Sequence, residues 1–251
     1  MYITASSLYR ETINFFRNQW ITITLMAILT SLITVIFNHV LLPSYTEQLQ
    51  FILGTQPQVR SLLEIIQKLS SEQFRLLLYI SAISFLVTLI GHTLMLGGVL
   101  NLISRVSAGK PARLFLALEN SLFQFPKLLV LLFMMTLLSQ LGFIILIIPG
   151  VVVTILLALS PIIMILEKKN LLSAMQTSMQ IAFRYTRLVT PAVILWLFVK
   201  GMMLLISTFF TTLPIMIATA ILNIISNLIN AVLTIYLYRF YMLLGNSIDR
   251  S

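Results

Sequence analysis

Apolar residues along this chain gather into long uninterrupted runs, and polar residues collect in the gaps between them. A bilayer core of roughly 30 Å needs about 20 helical residues to cross it, so runs of this length predict membrane spans. Six are expected, near residues 20–42, 76–102, 126–148, 150–166, 188–211 and 215–244. In hydrocarbon a backbone must satisfy its own hydrogen bonds, so the runs are helices despite their many β-branched residues. The predicted fold class is therefore all-α, a polytopic membrane protein forming one integral membrane domain over residues 1–251.

Two tight connections fix the count. Residues 128–166 would make a single helix of about 58 Å, nearly twice the core thickness. They must fold back, and Pro149-Gly150 is the expected turn. Residues 188–244 likewise hold two spans, with the break expected at residues 211–214, while Ser160-Pro161 is expected to kink the fourth span. Between the first two spans, residues 59–74 carry apolar positions at a helical period and predict a surface helix in the outer loop.

Shorter amphipathic segments precede the odd-numbered spans. Residues 111–125 place Leu114, Phe115, Leu118, Leu122 and Phe125 on one face. Residues 171–183 do the same with Leu172, Met175, Met179, Ala182 and Phe183, and residues 6–16 form a weaker version. Each predicts an interfacial helix leading into a span. The three boundaries also read alike, an aromatic residue followed by a cation: Phe16-Arg17, Phe125-Pro126-Lys127 and Phe183-Arg184 with Arg187. Rings settle at the headgroup level and cations meet phosphate there. Arg17, Lys127, Arg184 and Arg187 are thus candidate lipid-headgroup contacts, with the bilayer and its anionic headgroups at the cytoplasmic face as expected partners. A threefold repeat of interfacial helix plus hairpin follows as an expectation.

Composition narrows the function. Of 251 residues 59% are hydrophobic and 9% charged, against about a quarter charged in a soluble domain. The formal charge of +9 would suggest nucleic acid in a soluble protein. Here it records topology, and no nucleic-acid partner is expected. With the N-terminus inside, twelve of the sixteen Lys and Arg residues fall on the cytoplasmic side, three in the outer loop and one within a span. That asymmetry predicts both termini in the cytoplasm. The first run follows Arg10, Glu11 and Arg17 without a small-residue cleavage site, so a retained span is expected rather than a signal peptide. The absence of cysteine excludes disulfides, thiolate metal sites and a cysteine nucleophile. His39 and His92 have no metal-ligand spacing, so no metal or other cofactor is expected. Gly109-Lys110-Pro111 lacks the pattern of a phosphate loop. The only aspartate is Asp249, so a Ser-His-Asp triad has no basis.

Two breaches interrupt the apolar interior. Lys200 lies about 12 residues, roughly 18 Å, into the fifth span. A lysine at the bilayer centre costs about 2.5–3.5 kcal/mol on insertion scales, and all seven acids fall outside the spans or at their edges. Four roles stay open for it: contact with a lipid phosphate, capping of carbonyls near Gly201, a neutral amine, or snorkelling to an interface. The second breach is a stripe on the last span, Thr219, Asn223, Asn227, Asn230 and Thr234, whose spacing places all five on one helical face. Interhelical hydrogen bonding and a polar path both fit it. On the second span, Ser84, Thr88, Gly91, His92, Met95 and Gly98 suit close helix packing. His92 could join Lys200 and the asparagines in a polar site. Lys200, Asn223, Asn227, Asn230 and His92 form the candidate intramembrane site.

The segments Ile3-Thr4-Ala5-Ser6-Ser7-Leu8-Tyr9-Arg10 and Asn14-Phe15-Phe16-Arg17-Asn18-Gln19 carry a family likeness. So do the Val106-Ser107-Ala108-Gly109 step, Pro149-Gly150 with Leu156-Leu157-Ala158-Leu159-Ser160-Pro161, and Arg187-Leu188-Val189-Thr190-Pro191-Ala192-Val193. Together with the closing residues 235–243 they resemble the YciC family of bacterial inner-membrane proteins across essentially the whole chain. The resemblance implies a multi-pass protein of a Gram-negative inner membrane and assigns no chemistry. A fainter similarity, in Pro161, Glu167, Ala174 and Ser178 after the Pro-Gly hairpin, links the chain to membrane domains attached to some glycerophosphodiester phosphodiesterases. It suggests a lipid-associated module. Three functions follow as expectations: foremost a non-enzymatic module that binds lipid or a partner protein, next a small transporter or channel using Lys200 and the asparagine face, and last a lipid-modifying enzyme, for which no nucleophile-base pair is legible.

Overall fold

A computed structural model describes residues 5–42, 70–111, 114–208 and 214–248. Among these the chain is helical and has no strand. The helices are α1 (Ala5–Asn18), α2 (Trp20–Leu41), α3 (Ser71–Ser107), α4 (Leu114–Ile145), α5 (Ile147–Leu157), α6 (Ser160–Leu166), α7 (Leu171–Arg184), α8 (Thr186–Ser207) and α9 (Ile215–Ile248). Six helical stretches are long and apolar enough to cross a membrane, α5 and α6 counting together as one. The protein is an all-α polytopic membrane protein. Residues 59–69 of the predicted surface helix and 211–213 of the break expected at 211–214 lie outside the described residues, and residues 71–74 are the first turn of α3. Where description resumes, Ser70 caps α3 in a reciprocal box with Gln73. At its other end α3 stops at Gly109, whose φ of 70° is the left-handed region that glycine adopts freely.

The spans pack through small residues, because lipid supplies no hydrophobic force to hold apolar helices together. A Cβ on Gly91 would lie 2.2 Å from Thr34 Oγ1, and one on Gly98 would lie 2.4 Å from Met26 Cε. These glycines let α2 and α3 approach closely along much of their length. The same registers show that α3 runs antiparallel to α2. Gly98 against Leu118 likewise sets α3 antiparallel to α4.

The turn between the third and fourth spans is not at Pro149-Gly150, as the sequence predicts. It falls at Leu146, which takes an extended conformation between α4 and α5. Pro149 sits in the first turn of α5, where a helix has no use for the missing N–H. Gly150 serves a packing role: a Cβ on Gly142 would lie 2.8 Å from its Cα. The fourth span is interrupted before Ser160-Pro161, with Pro161 in the first turn of α6. The freed backbone is satisfied from outside. Ser178 of α7 donates through Oγ to the Leu156 carbonyl at 2.6 Å and accepts from Leu159 N–H at 3.2 Å.

That clasp also corrects the expected face of α7. Met175 and Ala182 are buried with Ala174 and Ser178, while Leu172 and Phe183 are 71% and 64% exposed. The small residues, rather than the largest apolar ones, dock this helix onto the interrupted span. Of the three expected units, two show a short helix followed by a span across a one-residue break. A single non-helical residue, Gln19 or Tyr185, separates α1 from α2 and α7 from α8, with φ of −115° and −117°. In the middle unit the predicted interfacial segment and span are one continuous helix, α4, with Pro126 inside it. A proline within a spanning helix is tolerated when neighbouring groups satisfy the freed carbonyl.

Helix α1 and the junction of α7 with α8 lie against the later turns of α9. Tyr9 of α1 stacks on Tyr236 at 5.0 Å between centroids, and Phe15 lies 5.1 Å below the Arg239 guanidinium. Tyr185 meets Phe240 edge-on, and Tyr236 Oη donates to the Leu188 carbonyl at 3.0 Å. These contacts tie α1 and the start of α8 to the later turns of α9.

Candidate functional site

A half-open cavity of about 480 Å³ lies among the spans, between α3, α4, α5, α6, α8 and α9. Its walls are mainly apolar. Polar side chains reach it from four helices: His92, Ser139, Gln140, Lys200 and Asn230, with the Trp196 indole beside them. Thr136, Thr154 and Thr234 also line it, but each spends its hydroxyl proton on the carbonyl four residues earlier. They present little polarity as a result. His92, Ser139 and Gln140 make no side-chain hydrogen bond among the described residues.

Lys200 is held along the seam of α8 and α9. Its ammonium donates to Ser226 Oγ and, at 3.4 Å, to the Ser226 carbonyl. It also lies 5.8 Å from the centroid of the Trp196 ring, within cation-π range. Trp196 Nε1 donates to Asn230 Oδ1 at 3.0 Å. Each of these partners is neutral, so a charge on Lys200 is hydrogen-bonded there but not cancelled. Sequence reasoning missed Ser226 and Trp196. A signal for Trp196 was present, since position i−4 from Lys200 faces it on a helix. Ser226 is likewise one turn before Asn230.

The asparagine stripe divides between two neighbours. Asn230 faces α8 and the cavity. Asn227, 3% exposed, turns to α2 and donates through Nδ2 to Thr30 Oγ1 at 3.0 Å. Thr30 in turn donates to the Met26 carbonyl at 2.8 Å, and Thr34 to the Thr30 carbonyl at 2.9 Å. Close by, Ser31 Oγ donates to the Ala220 carbonyl at 2.9 Å. This junction joins α2, α3 and α9, and Met95, whose Sδ accepts from Thr30 Oγ1 at 3.9 Å, stands between it and the cavity. Asn223 is half-buried and lines neither, and Thr219 is exposed. A step of three residues turns a helix by roughly 300°, so Asn227 and Asn230 point about 60° apart and meet different helices. His92, Lys200 and Asn230 therefore come together, whereas Asn223 and Asn227 do not join them.

The four candidate headgroup cations, Arg17, Lys127, Arg184 and Arg187, are all exposed. Arg184 lies 5.8 Å from the Tyr185 ring centroid. Beside them Phe123 and Phe183 are exposed as well, at 83% and 64%. Glu167 pairs with Lys169 at 2.6 Å and also accepts a hydrogen bond from Tyr241 Oη.

Comparison with known proteins places the chain in a family without assigning it a chemistry. Residues 1–243 match a family described as "Uncharacterised protein family (UPF0259)". The chain is 43% identical over 249 residues to a "UPF0259 membrane protein" of Yersinia pestis (strain Pestoides F), covering 97% of each chain. A "UPF0259 membrane protein" of Yersinia pseudotuberculosis serotype O:3 (strain YPIII) gives the same identity and coverage. No solved structure matches the chain. The chain belongs to the UPF0259 family of membrane proteins, the YciC family.

Proposed function

We propose that this protein is a non-enzymatic module of the bacterial inner membrane that binds a lipid or other amphiphile in its intramembrane cavity. The observation that carries this reading is the cavity itself. Its volume of about 480 Å³ and its apolar wall with a few convergent polar groups match the general character of ligand sites, which measure roughly 300–1,000 Å³. The exposed aromatic and cationic groups at the ends of the spans support a lipid setting. With both termini cytoplasmic, this basic end faces anionic headgroups, which attract juxtamembrane cations. The test is native mass spectrometry of the protein released from nanodiscs, comparing it with Ala231→Trp. Ala231 is 1% exposed and lines the cavity, so the indole occupies ligand space. Loss of a retained lipid from the variant supports the proposal, and equal retention defeats it.

A second reading, a small transporter, draws on the polar groups that His92, Lys200 and Asn230 bring to the cavity. Substrate uptake in a deletion strain carrying Lys200→Ala or Asn230→Leu separates the two. Transport through the polar site requires Lys200→Ala to abolish uptake, while a binding module leaves uptake unchanged. The Ser226-Lys200 pair has the elements of a nucleophile and its base. Ser226 nevertheless sits inside a helix whose backbone N–H groups are already bonded, which leaves no backbone donors for an oxyanion.

A further inference from the structure

The lining of the cavity is graded along the bundle. Helices α8 and α9 are antiparallel, with Lys200 against Ser226, Trp196 against Asn230 and Leu188 against Tyr236. Helix α4 is antiparallel to α3, through Gly98 against Leu118, Gly97 against Leu128 and Phe85 against Phe133, and to α5, which follows it across the turn at Leu146 with Gly142 against Gly150. Both α3 and α9 run opposite to α2, through Gly91 and Gly98 against Thr34 and Met26, and through Asn227 and Ala220 against Thr30 and Ser31. Direction along each helix is therefore known. Toward one end of the cavity lie His92, Ser139, Gln140, Lys200 and Asn230; toward the other lie Val99, Leu132, Ile162, Val193 and Leu237. The apolar end is the one nearer Arg105, Lys127, Arg187 and Arg239, at which α3 ends, α8 begins and α9 nears its close.

Resting on the amphiphile-binding reading above, we propose that the ligand is an anionic amphiphile with one acyl chain. Its acid head meets Lys200 and its chain points toward the basic end of the bundle. Charge selects the head. All seven acids of the chain fall in sequence outside the predicted spans or at their edges, and among the described residues the groups that touch the Lys200 amine are a hydroxyl, a carbonyl and an indole face. An intramembrane cation so placed calls for an anion. His92, Ser139 and Gln140 offer further hydrogen-bonding groups at the same end. A volume of about 480 Å³, mid-range for drug-sized ligand pockets, suits one chain.

The orientation has a consequence. A lipid of the leaflet beside the basic end carries its head at that end and its chain away from it. The cavity has the reverse polarity, so its ligand arrives from the opposite leaflet, the outer one when the basic end is cytoplasmic.

The test uses the full chain in uncharged phosphatidylcholine nanodiscs and three probes with a diazirine at the chain end: palmitic acid, lysophosphatidylglycerol and monopalmitin. Crosslinked peptides are mapped by mass spectrometry. The expected result is that an acidic probe labels peptides containing Ile162, Val193 or Leu237, with monopalmitin roughly tenfold weaker, the weight of one charge-assisted hydrogen bond. Lys200→Met lowers the acidic probe to the monopalmitin level, and Lys200→Arg restores it. Labelling by palmitic acid alone identifies a free fatty acid, and by the lysophospholipid alone a phospholipid; either supports the proposal. If Lys200→Met does not fold, the ranking of the three probes on the unaltered protein decides. Equal labelling by monopalmitin overturns the anionic ligand while leaving amphiphile binding intact. Chain-end labelling of residues 139–143 overturns the orientation. Labelling of no cavity peptide by any probe removes both the inference and the reading beneath it.

Discussion

Gly142→Ala is the sharpest test of how the third and fourth spans are joined. The added Cβ would stand 2.8 Å from Gly150 Cα, 2.9 Å from Gly150 N and 3.2 Å from the Pro149 carbonyl carbon. Carbon atoms rest at about 3.5–4.0 Å, so α4 and α5 must separate by roughly 0.7 Å or more. No side chain can rotate away, because all three atoms are backbone in the first turn of α5. Overpacking of this kind costs about 1–3 kcal/mol, partly offset by up to about 1 kcal/mol from the better helix propensity of alanine. With the full offset a net loss of up to about 2 kcal/mol is expected. Gly201→Ala is the control: its Cβ meets nothing within 4 Å, so only the propensity gain remains. Equilibrium unfolding in mixed lipid-detergent micelles, followed by steric trapping, measures both. If the two substitutions shift stability equally, the close Gly142-Gly150 contact is refuted.

Four further outcomes are expected. Ser178→Ala leaves the Leu156 carbonyl and the Leu159 N–H unpaired in a fully buried setting, a loss of about 1–3 kcal/mol in the same unfolding assay; a loss below 0.5 kcal/mol refutes the clasp, on the scale of an ordinary surface substitution. A double-mutant cycle of Asn227→Ala with Thr30→Val is expected to give a coupling of about 0.6–1.7 kcal/mol, the range for hydrogen bonds between membrane helices; additivity contradicts the direct bond. Fluorophosphonate probes are expected not to label Ser226, and labelling lost in Lys200→Met would reinstate an enzyme. A reporter fused near Gln58 is expected outside the cytoplasm, and a cytoplasmic signal inverts the topology.

The existence of the spans was legible in the sequence because hydrocarbon imposes one simple requirement, about twenty apolar residues per crossing. The charge asymmetry was legible for a similar reason. Detail failed where packing overrode local propensity. Pro149-Gly150 carries the strongest turn signal in its segment, yet the chain turns at Leu146, because proline fits a first helical turn and Gly150 is needed where α5 meets Gly142. The apolar face of α7 was misassigned because a periodicity count rewards bulk, whereas docking onto an interrupted helix rewards Ala174, Ser178 and Ala182. Lys200 stood out at once as a charge in an apolar run. Its partner Ser226 did not, since a serine in a spanning helix is ordinary. The division of the asparagine stripe depends on which helix lies on each side of α9, information that one helix's periodicity does not hold.

The central claim is that the cavity holds an amphiphile, and Trp196 on its wall is a built-in reporter. The chain has one other tryptophan, Trp20, which Trp20→Phe removes. Fluorescence of that variant in nanodiscs is measured while palmitic acid brominated along its chain is added in small increments. A bound ligand predicts quenching that saturates at low mole fraction and is reversed by unbrominated palmitic acid. Quenching that rises in proportion to the brominated chain in the bilayer, without saturation or competition, would contradict the account.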